Sequence, residues 1–462
     1  MEATVSDERP APDVPATFRD VFGQAEFRAL FTANTLSWIG DYVAKAAVTV
    51  LVYRQTDSVA LSAAAFAASY LPWLLGGPLL AALAERHRYR EVMAACDLTR
   101  MALMVLVALP GMPPWAILAL IFAATLANPP SQAARSALTP QILHGDRLVV
   151  GLSVLASSSQ AAQVVGYLLG AAIAVVSPAA ALLINAATFA VSAALVRFGL
   201  RDRPSTMTAA HRSHLLRETG QGFQIVFGQP VLRAIAVLVF SAMLFSIVPE
   251  GLAAAWAAER GGDLGSGAAQ AIIMVASPIG YIIGGLVVGR LFSPDRRLAL
   301  IRPLAVLAPA ALAPALFDPP PLVVAVLSAA CGFAVAGLLP VANSLFVRAL
   351  PEGYRARAFG VMASGTQIIQ GAAVLATGAL AERFSIPTVV GAWSVAGVVL
   401  MLGAALAWPH REAVAAAVDA ATRANSTPAA PTAPRPHPPG RGAAPATAAD
   451  RSGDRSRRHA VT

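Results

Sequence analysis

Twelve apolar runs divide the chain, near residues 29–53, 59–85, 90–111, 114–134, 148–176, 178–199, 230–257, 266–292, 297–317, 320–347, 356–380 and 386–408. Each is long enough to cross a hydrocarbon core of about 30 Å as a helix rising about 1.5 Å per residue. Helices satisfy their own backbone hydrogen bonds in lipid, so the pattern predicts an all-α membrane protein with twelve transmembrane helices. These runs are numbered here as spans one to twelve. The longest internal polar stretch, 200–229, divides them six and six. The predicted organisation is therefore an amino-terminal segment 1–26, a six-helix bundle 27–199, a linker 200–229, a second six-helix bundle 230–408 and a tail 409–462. The tail is rich in Pro, Ala and Arg. Its first part, Glu412 to Arg423, can continue the last helix, and the rest reads as disordered.

The two halves look related. Phe27-Arg28-Ala29-Leu30 opens span one, and Leu232-Arg233-Ala234-Ile235 opens span seven, an offset of 205. Gly76-Gly77 ends span two, and Gly284-Gly285 ends span eight, an offset of 208. Each glycine pair leads into an arginine-bearing turn. Paired six-helix halves with a site between them at the bilayer midplane are a transporter architecture. Small residues line one face of span five (Gly166, Gly170, Ala171) and one face of span eight (Gly280, Gly284, Gly285, Gly289). Such faces let helix backbones approach closely, either as static packing or as a sliding seam.

Charge sets the predicted orientation. Alternate connections hold seventeen arginines on one side, among them Arg86, Arg88, Arg90, Arg135, Arg355 and Arg357, against Arg54, Arg260 and Arg383 on the other. The positive-inside rule then places both termini in the cytoplasm and the chain in the cell membrane. Composition fits this reading: 56% of residues are hydrophobic and 13% charged. The net charge of +9 lies in short loops and the tail, without an aromatic-interleaved basic face, which argues against nucleic acid as a partner. Residues 1–26 lack the apolar core of a cleavable signal, so span one is the expected targeting element. Cys96 and Cys331 sit far apart in apolar helices and read as buried thiols. The loops show no metal-ligand cluster or nucleophilic triad, which argues against an enzyme and against a cofactor. His87, His144, His211 and His214 read as solvated loop residues.

The informative positions interrupt the apolar pattern. The single lysine, Lys45, lies inside span one, with Asp41 one turn earlier. Asp41 is 13 residues from both Arg28 and Arg54, or about 20 Å from each, which is mid-membrane. Lys45 lies about 6 Å further on, and its side chain leans back toward the helix amino terminus. At i and i+4 the two share a face and can pair. A central charge costs roughly 2.5–3.5 kcal/mol on insertion scales, so such residues face a partner or a cavity. Span seven carries Glu250 within Val248-Pro249-Glu250-Gly251, and the offset of 205 maps Lys45 onto it. The repeat thus sets opposite charges at equivalent heights on the first helix of each half. Pro249 and Gly251 loosen the helix locally. In the functional reading, Lys45 alternates between Asp41 and Glu250 as a carboxylate takes up a proton, and a proton gradient supplies the energy. The bland alternatives are a self-neutralised pair and a vestibule carboxylate. Asn34, Ser37, Trp38, Phe245 and Gln367 are candidate cavity residues by position.

Four stretches resemble the major facilitator superfamily, in particular its branch of macrolide and enterobactin exporters. Leu51-Val52-Tyr53-Arg54-Gln55-Thr56-Asp57-Ser58 is similar to that branch's first outer loop. Gly76-Gly77-Pro78, Leu83-Ala84-Glu85-Arg86 and Arg90-Glu91-Val92-Met93 resemble the signature loop between spans two and three. Ala134-Arg135-Ser136-Ala137-Leu138-Thr139-Pro140 is similar to the end of span four, and Leu350 to Gly360 to the loop opening span eleven. The likeness runs from about 20 to 408. There are departures: Glu85 stands where the family has Asp, Gly166-Tyr167 where exporters often have Gly-Pro, and Ala356 where a glycine is usual.

The resemblance implies the major facilitator fold and a cytoplasmic gate. Glu85, Arg86 and Arg90 would latch one conformation beside Asp97 and Arg100, with Arg135, Arg355 and Arg357 nearby. It also implies a monomeric antiporter that expels a small amphipathic drug, antibiotic or siderophore in exchange for protons. A nutrient importer or uniporter, or a non-transporting sensor on the same fold, is the alternative. An ATP-driven pump is excluded, because the single lysine has no phosphate-loop context.

Overall fold

The computed structural model describes residues 16–73, 87–203, 215–351 and 354–426. Gly76, Gly77, Pro78, Glu85 and Arg86 of the signature loop lie outside the described residues, as do 1–15, 204–214 and 427–462. Among the described residues all regular structure is helical. Ten segments are long and apolar enough to cross a membrane. Two expected spans fall short of that count for identifiable reasons. Span two lies half outside the described residues, and span three (Tyr89–Val107) carries Arg90, Glu91, Asp97 and Arg100. The architecture is an all-α membrane protein built from two six-helix bundles.

Prolines and caps set the helix boundaries. Pro114, Pro178, Pro230, Pro294 and Pro321 each stand at the start of a helix, where a missing N–H costs nothing. Asp57, left-handed at φ 50°, ends span one, and the Ser58 hydroxyl accepts from Leu61 N at 3.1 Å to start span two. Prolines also break two spans. Span four is Pro114–Leu126 followed by Asn128–Ile142, interrupted just before Pro129-Pro130. Span seven is Pro230–Ser246 followed by Val248–Arg260, interrupted just before Pro249. Beside the second break, Trp393 Nε1 donates to the Leu244 carbonyl at 3.1 Å.

Two sequence-based expectations change here. Span four runs to Ile142, so Arg135 is a helical residue and not a loop one. The tail does not continue the last helix: Pro409 separates Ile386–Leu406 from a distinct helix, Arg411–Ser426. That helix packs Val414, Ala417 and Val418 onto the second bundle. The linker carries a helix too, Leu215–Gly228.

Span one lies against spans five and six, span eight against span ten, and span nine against spans ten and twelve. The small-residue faces serve these seams. Gly166 and Gly170 let span five approach Tyr42 and Val43 of span one. Gly280 and Gly284 let span eight approach Ala329 and Phe333 of span ten. Both seams lie inside a bundle, which selects the packing role over the sliding one. Gly285 and Gly289 face open space.

The bundles meet through spans five and eight and through spans two, seven and eleven. Their shared core holds Phe66, Tyr70 and Tyr167 from the first half and Trp256, Ile273, Met274 and Val374 from the second. Among the described residues, hydrogen bonds between the bundles run from Tyr167–Glu250 to the face opposite the termini, here the far face. There Gln270 donates to the Ala46 carbonyl at 3.1 Å, and Glu382 accepts from Ser58 Oγ at 2.6 Å and Ala60 N at 2.8 Å. Glu382 thus caps the first turn of span two from the other bundle. The far face is closed.

Two predictions follow from these seams. A Cβ at Gly280 would lie 1.9 Å from the Ala329 carbonyl oxygen, a backbone atom that cannot rotate away. Gly280→Ala is expected to cost about 1–3 kcal/mol through overpacking. Its melting temperature in detergent should fall, while Gly285→Ala stays at the wild-type value. At the far face, the Ser58 hydroxyl and the Ala60 amide hold the Glu382 carboxyl below the ordinary glutamate range. A depressed carboxyl stabilises the closed face fully above that range and loses the contribution as pH falls below it, through the lowered value of the capped carboxyl. Removing a helix cap costs about 1 kcal/mol. Glu382→Ala should therefore raise the far-face-open population roughly fivefold, read as spin-label distances between positions 61 and 383. Acidifying the wild type should do the same, and acid should leave the variant unchanged.

Candidate functional site

Span one, unbroken from Ala25 to Thr56, brings Trp38, Asp41, Tyr42 and Lys45 to the junction of the two bundles. Lys45 is 11 residues from the end of its helix, Glu250 10 from Arg260 and Tyr167 9 from Val176. At about 1.5 Å per residue all three sit about 15 Å from the far face, half of a 30 Å core. By this count Lys45 and Glu250 stand at similar distances from the far face, and both line one cavity.

Two adjoining cavities share Tyr42, Lys45 and Gln367. The first is formed mainly by the amino-terminal bundle and is lined by Ser37, Trp38, Asp41, Arg100, Gln132 and Arg135. The second faces the other bundle and is lined by Glu250, Ser277, Tyr281 and glutamines from spans five and eleven. Lys45 stands where they meet.

The pairing differs from the sequence expectation. Asp41 forms its ion pair with Arg100, not with Lys45. Arg100 comes from span three with five donors in a planar fork, whereas Lys45 shares a helix with Asp41 and must bend back to reach it. Arg100 also stacks its guanidinium on Phe189, 4.1 Å from the ring centre. Lys45 instead places Nζ 4.4 Å from the Tyr70 ring centre and 5.0 Å from that of Tyr42. Aromatic faces attract an ammonium through their quadrupole. Among the described residues Lys45 has no ion pair.

Glu250 is 4% exposed and accepts a hydrogen bond from Tyr167 Oη at 3.0 Å. Tyr167 occupies the position where exporters often carry proline. It is fully buried and meets Tyr42 edge-on, with ring centres 5.1 Å apart. The departure from the family motif is thus the residue that ties span five to span seven.

The expected gate residues separate into groups. Arg90, with Arg88, pairs with Asp202 at the end of span six. Asp97 is 3% exposed and accepts from Ser192 Oγ at 2.6 Å. Arg100 is ten residues beyond Arg90, about 15 Å deeper along span three. Asp97 and Arg100 are therefore not part of a gate at the membrane edge. Arg135 lines the central cavity, 5.7 Å from the Trp38 ring centre, and donates to Gln132 Oε1 at 3.1 Å. Arg357 donates to Gln221 of the linker helix at 2.8 Å, and Arg355 opens the helix of span eleven. Glu85 and Arg86 lie outside the described residues.

Of the positional candidates, Ser37, Trp38 and Gln367 line the cavities. Asn34 is buried next to them in sequence but does not line either cavity. Phe245 packs against Trp393, with ring centres 6.1 Å apart, and is a core residue of the second bundle. Sequence reasoning missed the tyrosine cluster and three of four cavity glutamines, all but Gln367. Gln160 and Gln163 on span five, and Gln367 and Gln370 on span eleven, all line the second cavity. Both pairs have a spacing of three, and an offset of 207 maps one onto the other. That repeat was legible as paired polar interruptions of apolar helices.

Residues 30–255 and 250–446 match the family model of the Major Facilitator Superfamily. No curated protein matches the sequence. Among solved structures, the fold is similar to a POT family transporter in complex with 5-aminolevulinic acid. The TM-score is 0.65 at 10% identity, over 82% of this chain and 95% of that one. It is similar to the nucleoside transporter NupG, with a TM-score of 0.61 at 17% identity, over 83% and 100% of the two chains. It is also similar to a bacterial homolog of the human lysosomal transporter Spinster, solved inward-facing and unoccupied. There the TM-score is 0.63 at 13% identity, over 87% and 99%. At these identities the likeness is one of fold. With both bundles matched by the family model, the chain belongs to the Major Facilitator Superfamily of secondary transporters.

Proposed function

We propose that this protein is a proton-coupled exporter of a small amphipathic molecule that works by alternating access. The observation that carries the reading is Glu250, a buried carboxylate held across the bundle interface by Tyr167 and adjoining a lysine with no ion-pair partner among the described residues. The Tyr167–Glu250 bond joins two bundles that separate when the far face opens. Opening breaks it and exposes the carboxylate to protons from that side. A charged Glu250 attracts Lys45, and a protonated one leaves Lys45 to its tyrosines or to a ligand. Lys45 thus exchanges between Glu250 and its aromatic resting place, and Asp41 stays with Arg100. The proton gradient drives the cycle.

The arginine bias puts the termini in the cytoplasm of the cell membrane. The far face is then the outer one. The loop motifs resembling the macrolide and enterobactin exporters support export. Arg90 with Asp202, and Glu85 and Arg86 before it, act as the cytoplasmic gate in this reading. The four cavity glutamines favour a second reading, uptake of a hydrophilic nutrient.

In proteoliposomes, Glu250→Gln is expected to lower pH-gradient-driven transport at least tenfold while substrate exchange without a gradient persists. Tyr167→Phe removes one hydrogen bond, worth about 1 kcal/mol, and should reduce coupling severalfold. Unchanged gradient dependence in Glu250→Gln would sink the coupling role. Accumulation assays in cells lacking their own exporters separate the directions: export lowers the cellular level of the substrate, and uptake raises it.

A further inference from the structure

The first cavity is lined by three cations, Lys45, Arg100 and Arg135, and one carboxylate, Asp41. Asp41 is committed to Arg100. Lys45 and Arg135 remain, and among the described residues neither has an ion-pair partner. Behind the cavity wall, Asp97 gives one oxygen to Ser192 and lies outside the lining. An uncompensated charge inside a membrane protein is costly, and such charges normally meet a partner or face a pathway. Here both cations face the same pathway.

The two are staggered along it. Arg135 is seven residues from Ile142, the terminal-face end of span four, so about 10 Å in. Lys45 is deeper, at the level of Glu250. An anion entering from the terminal face would meet Arg135 first and Lys45 second. Arg135 offers a planar fork suited to a carboxylate, sulfonate or phosphate. It stands beside the indole of Trp38, which provides an apolar face for a planar body.

We infer that the transported molecule is an organic anion with an aromatic or planar body, its acidic group drawn to Arg135 and Lys45 and its body set against Trp38. A cationic amphiphile would meet Arg135 first, with Asp41, the one carboxylate lining this cavity, already paired to Arg100. The inference rests on the transporter reading only in taking this cavity as the substrate path. It does not depend on direction or on proton coupling.

The test uses the purified full-length protein in detergent and three matched probes: naphthalene-2-acetate, naphthalene-2-acetamide and 2-naphthylmethylamine. Binding is read by thermal stabilisation over a concentration series. The expected result is a Kd for the carboxylate at least tenfold below those of the amide and the amine. Arg135→Gln or Lys45→Gln should abolish that preference, and Arg135→Lys should partly restore it. The wild-type comparison stands by itself if a variant fails to fold. Absence of a carboxylate preference in the wild type overturns the inference, and so does a preference unchanged in both glutamine variants. Either result leaves proton coupling standing, because that is read in Glu250→Gln vesicles. Failure of coupling there leaves the anion site standing.

Discussion

Inside a bilayer, every ionisable group needs a neighbour that compensates its charge, and the arrangement around span one follows from how this is met. Asp41 is matched by Arg100, which spans three and six hold in place with Phe189 against the guanidinium. Glu250 is matched by a neutral donor, Tyr167. Lys45 has no ion pair among the described residues and rests against the faces of two tyrosines, with Glu250 lining the same cavity. The first pair is satisfied within one bundle. The Tyr167–Glu250 contact crosses the interface, and Lys45 stands at the same junction. A change in how the bundles meet therefore changes the surroundings of Glu250 and Lys45 and leaves Asp41–Arg100 intact.

The packing supports this division of labour. Glycine seams lock span one to span five and span eight to span ten, with backbone atoms where a side chain would need to be. These contacts make each bundle stiff. The contact between bundles has a different character: a core of aromatic and aliphatic residues toward the far face, sealed by polar contacts such as Glu382 on the first turn of span two. Two rigid bodies with a separable interface are what rocking around a central site requires.

The breaks in spans four and seven lie beside the functional groups. Span seven is interrupted at Ile247, three residues before Glu250, and span four at Ala127, just before the segment that carries Arg135. Both interruptions come from prolines that deprive the helix of a donor. A helix broken there turns its second segment independently of its first, which is how a charged side chain is aimed into a cavity while its helix still packs. The Trp393 indole, donating to the Leu244 carbonyl, occupies a polar group beside the span-seven break.

Hydropathy alone made the helical fold, the paired halves and most span boundaries legible, because lipid leaves a chain so few options for its backbone. The internal offset located Lys45 and Glu250 at one height, since a repeat carries depth with it. Partner choice was not legible. Asp41 and Lys45 satisfy every local rule for an i, i+4 pair, yet Arg100 from another helix outcompetes the lysine by geometry and donor count. The same limit put Phe245 in the cavity, because sequence distance gives depth but not the face a side chain takes. The depth of Asp97 and Arg100, seven and ten residues beyond Arg90, was legible, and the resemblance to a loop motif drew them to the membrane edge instead. Tyr167 read as a missing proline, and only packing against span seven gave it a role. The sequence by itself determined which residues are at mid-membrane. The tertiary structure decided which of them meet, because buried charges are matched across helices and not along them.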